Sequence, residues 1–118
     1  MTATQRTCLV FFVAMMLGGA ASAGQVQGTV FSWELDPAGN FSFILNNAPV
    51  LCTNGHFDNN RGAVVAGVRG VTTDGVKAMY ASMLAAFLAG KQITVYTDET
   101  VVTSGWGCTV YVLDVTGP

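Results

Sequence analysis

Beyond residue 23, one stretch of this chain places apolar residues at helical spacing. Val76, Met79, Tyr80, Met83, Leu84, Phe87 and Leu88 recur on one side and run up to Gly90, a residue suited to the left-handed turn that ends a helix. Thr73 or Asp74 can cap the other end. The segments before and after it are short, rich in β-branched and aromatic residues, and separated by turn residues. One helix set among short strands limits the chain to a mainly β fold with a single helix.

The strands can be read in order. Gln25 to Leu35 reads as one strand, with Thr29, Phe31, Trp33 and Leu35 on one face and Val26, Val30, Ser32 and Glu34 on the other. Asp36-Pro37-Ala38-Gly39-Asn40 supplies a tight hairpin connection. Phe41 to Leu45 returns as a second strand, Asn46-Asn47 makes a bulge or turn, and Ala48 to Thr53 continues in extended form. After a polar loop over Asn54 to Gly62, Ala63 to Val68 suits a third strand. Gln92 to Thr97 and Cys108 to Val115 follow the helix, with Asp98-Glu99 as turn residues between them. The order β-β-β-α-β-β in a domain this small suits a five-stranded Greek-key barrel of the oligonucleotide/oligosaccharide-binding (OB) type, with the helix between strands three and four, and other α+β sheets with one helix also fit it.

The first 23 residues read as a signal peptide. A polar start with Arg6 leads into the apolar run from Leu9 to Leu17 and then into Gly18-Gly-Ala-Ala-Ser-Ala23, which is an Ala-x-Ala cleavage site in the expected place. A membrane anchor would need about 20 apolar residues, so no span is expected once the signal is removed. Residues 24–118 then form a single domain, secreted or periplasmic. Cleavage removes Cys8 and leaves Cys52 and Cys108, which in an oxidising compartment are expected to pair. It also removes Arg6, leaving four scattered cations against seven acids. That balance argues against a nucleic-acid partner, which calls for a basic patch.

No catalytic or cofactor motif stands out. His56 is the one histidine, with Asp58 nearby, but no nucleophile elbow surrounds Ser32, Ser42, Ser82 or Ser104. Zinc lacks ligands, and the alternation of Asp58, Asn60 and Gly62 does not fit a calcium loop, whose last position falls on Arg69. Asp36 and Asp98-Glu99 read as turn residues rather than as a glycosidase pair. Trp33 and Trp106 are candidates for sugar stacking, though packing is the commoner fate of a tryptophan in a small barrel. The helix is unusual on its other side, where Ala78, Ala81, Ser82, Ala85 and Ala89 carry one neighbouring charge, Lys77. Small residues there would let a second subunit approach closely. No enzyme, cofactor or metal is expected.

The stretch from Val76 to Tyr96, with its helix, glycine stop and following strand, resembles small secreted bacterial proteins similar to the B subunit of subtilase cytotoxin. Phe31-Ser32 is similar to a Phe-Ser pair in the first strand of that subunit, and Cys52 closes a hairpin return as a cysteine does there. The chain departs from that pattern at Thr97, where the toxin subunit has a tyrosine, and in the position of its second cysteine. The resemblance implies an OB barrel, a homopentameric ring with helices about a central pore, and recognition of cell-surface glycans, with Ser32 in a sialoglycan site. The function expected is therefore that of an exported, non-enzymatic binding module. The alternative is a small envelope structural or inhibitor-like protein that binds another protein and no sugar.

Overall fold

A computed structural model describes residues 23–53, 59–102 and 106–116. The signal segment with Cys8, the stretch carrying His56 and Asp58, and Ser104 lie outside the described residues. The elements are β1 (Ala23–Gly28), β2 (Val30–Leu35), β3 (Phe41–Leu45), β4 (Arg61–Val64), α1 (Thr73–Ala89), β5 (Ile93–Val102) and β6 (Cys108–Val115). The strands form one mixed sheet in the order β1-β5-β6-β4-β3-β2. All neighbours are antiparallel except β4 and β6. The mainly β fold with one helix is as expected, but the sheet has six strands and is not closed into a barrel by strand pairing.

The sixth strand arises because the expected first strand divides at Thr29. Its first half pairs with β5 and its second with β3, so β1 and β2 occupy opposite edges of the sheet. Asn46 anchors the junction. Its backbone N–H donates to the Thr29 carbonyl at 2.8 Å, and its side-chain amide to the Thr29 hydroxyl at 2.6 Å.

A register shift between Val30 and Ser32 changes the face on which residues fall. Val30 is buried and Trp33 packs against the core, whereas Phe31 is 64% exposed. The expected common face for Phe31, Trp33 and Leu35 is thus corrected, since a bulge adds one residue and turns the strand.

The core lies between the sheet and the helix. Phe41, Phe43 and Leu45 of β3 meet Val76, Met83 and Ala86 of α1, together with Ile93, Val95 and Val110. Tyr80 sits edge-on to Phe41 with ring centres 5.5 Å apart, and Trp33 edge-on to Phe87 at 4.9 Å. Both pairs join the helix to the β2–β3 hairpin. At the end of the helix the expected apolar face is only partly covered: Phe87 is 41% exposed beside Trp33, and Leu88 is 76% exposed.

Thr72, rather than Thr73 or Asp74, is the N-cap, and its hydroxyl accepts from the Gly75 N–H at 3.0 Å. Gly90 closes the other end at φ 67°, with its own N–H and that of Lys91 returning to the last turn.

Two further boundaries move. The third strand ends at Val64, after which residues 65–71 turn back through Gly67, Arg69 and Gly70, all at positive φ. Beyond the helix, β5 continues through Asp98 and Glu99 to Val102, so these two acids are strand residues rather than turn residues. Residues 48–53 form no strand; the Leu51 and Cys52 N–H groups instead donate to the Asn59 carbonyl. Cys52 and Cys108 are joined by a disulfide buried in the core, with Cα atoms 5.8 Å apart.

Candidate functional site

Antiparallel register puts Ser32 opposite Ile44, and Ile44 opposite Arg61. Glu34 stands opposite Ser42 on the same outer face, because residues two apart in a strand share a side. The face crossing β2, β3 and β4 therefore carries Ser32, Glu34, Ser42, Ile44 and Arg61. The Arg61 Nη1 donates to the Ser42 hydroxyl at 3.2 Å and lies 3.6 Å from the Glu34 carboxylate.

Ser42 is fully buried beneath this guanidinium, while Glu34 remains largely in solvent. The ion pair itself adds little stability. Its consequence is positional, since it brings the cation of β4 across the sheet to the carboxylate that stands two residues along β2 from Ser32. The Ser32 hydroxyl is half-buried, and among the described residues no group of the chain bonds to it.

A second polar group lies farther along the sheet. Arg69 projects from the turn after β4, its Nε donating to Asp98 Oδ2 at 2.6 Å and its guanidinium carbon 4.2 Å from the centre of the Tyr111 ring. Asp98 Oδ1 accepts from the Thr100 N–H at 2.9 Å and from the Thr100 hydroxyl at 2.5 Å. The Thr100 hydroxyl, then Arg69, hold the Asp98 carboxyl down to about 2. The Asp98 hydrogen bond in turn raises the Arg69 guanidinium above its ordinary value. Glu99 accepts from both the backbone and the hydroxyl of Thr53. Both acids tie loops to β5.

At the open end of the β2–β3 hairpin is a cavity of about 410 Å³ lined by Phe31, Ile44, Leu45, Asn46, Asn47 and Ala48. Reasoning from sequence missed it, because it depends on the shifted phase of Phe31. The one available sign was the spacing of Val30 and Trp33, two apolar residues three apart in a strand that otherwise alternates. Of the two tryptophans proposed for stacking, Trp33 is engaged with Phe87 and Trp106 is half-buried.

Among the described residues no three His, Cys, Asp or Glu side chains gather as metal ligands, and no helix is long and apolar enough to cross a membrane. No protein-family model matches the chain, and no curated protein matches it.

Proposed function

We propose that the chain is an exported, non-enzymatic binding module that recognises cell-surface glycans through the outer face of β2, β3 and β4. The observation carrying this reading is that the Ser32 hydroxyl, unbonded among the described residues, shares one outer face with the paired Glu34 and Arg61. Hydroxyl, carboxylate and guanidinium groups side by side can share the several hydroxyls and the carboxylate of an acidic sugar. Secretion or residence in a periplasm accords with a buried disulfide.

An OB-type barrel is part of the same proposal. β1 and β2 follow one another with Thr29 between them, yet bound the sheet at its two edges. One long, sharply bent first strand of a partly open five-stranded barrel would do the same. Assembly as a homo-oligomer is supported by the apolar end of α1, where Phe87 and Leu88 face solvent next to the small residues Ala85 and Ala89.

A glycan array probed with the protein and with Ser32→Ala tests the binding reading. Signals on sialylated glycans that Ser32→Ala abolishes are expected. A blank array for the unaltered protein overturns it.

A further inference from the structure

We infer that the cavity at the open end of the β2–β3 hairpin is a subsite for an uncharged pyranose sugar. The inference takes its ligand class from the glycan reading above and adds a second subsite, which adjoins the Ser32 face at Ile44.

Three features converge there. The bulge at Phe31 turns a phenylalanine ring outward that regular alternation would have kept with Trp33, leaving it 64% exposed on one wall of the cavity. Bulges recur where a side chain is re-aimed at a site. Opposite, Asn47 and Ala48 are consecutive non-glycine residues at φ 69° and 44°, in a turn closed by the Ala48 N–H on the Leu45 carbonyl at 2.9 Å. Alanine gains nothing locally from that conformation, and strain of this kind gathers at ligand sites. Asn46 is fixed to Thr29 by its side-chain amide, while the Asn47 carboxamide projects into solvent with no bond to the described chain.

The chemistry of the lining selects the ligand. Phe31, Ile44, Leu45 and Ala48 present apolar surface, Asn46 and Asn47 add carboxamides, and no charged side chain among the described residues lines the cavity. A neutral pyranose has an apolar C–H face to lay on an aromatic ring and hydroxyls for carboxamides to bond. The guanidinium of Arg61, the residue opposite Ile44, is held at Ser42 and Glu34 rather than in this lining. The volume of about 410 Å³ falls in the range of small-molecule sites and suits a single sugar residue.

The test is a titration of isotope-labelled protein with neutral methyl glycosides, followed by amide chemical shifts. Saturable shifts confined to Phe31 and residues 44–48 are expected. Phe31→Ala and Asn47→Gly should each weaken them about three- to tenfold, the reach of one stacking contact or one hydrogen bond. Neither variant threatens the fold, since Phe31 is exposed and glycine accepts the φ of Asn47.

No saturable shift with any neutral glycoside, or shifts indifferent to both cavity variants, would overturn the inference. Neutral sugars binding here while the glycan array shows no sialoside signal would remove the Ser32 reading and leave this one standing. A Ser32-dependent array signal with no response at the cavity would do the reverse.

Discussion

Arg69 and Asp98 are joined at 2.6 Å, from Nε to Oδ2, and this contact ties the turn after β4 to the middle of β5. The pair makes stability depend on pH in a defined direction. Asp98 has its carboxyl lowered from 3.8 to about 2 by the Thr100 hydroxyl first and by Arg69 second, so folding favours the ionised form. The stabilisation is complete above about pH 4 and is lost as pH falls through about 2. Denaturant midpoints measured across that window should drop on acidification, and Asp98→Asn should flatten the drop. An equal fall in the variant would assign the acid sensitivity to other groups.

Cys52 and Cys108 close a loop spanning 56 positions, which ties the segment after β3 to the start of β6. Constraint of an unfolded chain by a loop of that length is worth about 4 kcal/mol. For a domain this small that is a large share of the total. A reductant should therefore lower the melting temperature sharply, by about 20 °C at about 5 °C per kcal/mol. Cys52→Ser with Cys108→Ser should match the reduced protein and show no further response to reductant.

How much of this was open to reading from sequence depended on whether a pattern ran unbroken. β3, β6 and the helix emerge where predicted because Phe41-Phe43-Leu45 alternates, the run after Cys108 is rich in β-branched residues between turn residues, and apolar residues recur at helical spacing after Val76. The phase of Phe31 was hidden because a bulge leaves no composition of its own. The passage of β5 through Asp98-Glu99 was hidden for a different reason. Those acids look like turn residues until Arg69 and Thr53, both distant in sequence, arrive to bond them. The Ser32 face could be anticipated one residue at a time, but Glu34 and Arg61 join it only through strand register. The cap moved by one residue for a simple cause: three candidates stand in a row, and Thr72 alone has its hydroxyl set to accept from Gly75.

That cap gives a local test of the helix. Removing the Thr72 hydroxyl leaves the Gly75 N–H without its acceptor at the first turn. Thr72→Ala should cost about 1 kcal/mol, and Thr72→Ser should restore most of it. Thr73→Ala should change much less, since that residue lies inside the helix and exposed. Thermal melts of the three variants check the assignment; equal losses at both positions would refute it.

Gly107 stands at φ 137° just before β6, and a methyl group added there would come within 2.6 Å of the Arg61 carbonyl oxygen. Both the conformation and the contact are with backbone, so no side-chain rotation relieves them. Gly107→Ala should destabilise by more than about 2 kcal/mol. The loss should also loosen the parallel pairing of Gly62 with Cys108, seen as faster amide exchange in β4. Unchanged stability would show that residues 106–108 can shift away from β4 at little cost.

The proposed homo-oligomer places its demand on Leu88, which is 76% exposed, next to Phe87 at 41%. Burial of a leucine of that exposure against another subunit is worth about 2 kcal/mol, and a ring repeats the contact at every interface. Leu88→Asp would force a carboxylate into each contact without touching the core residues Val76, Met83 and Ala86. Sedimentation should find the unaltered protein as a particle several times the chain mass and the variant as a folded monomer with the same circular dichroism. A clean monomer for the unaltered protein at high micromolar concentration would remove the oligomer, while leaving the Ser32 face and the hairpin cavity to be judged by their own experiments.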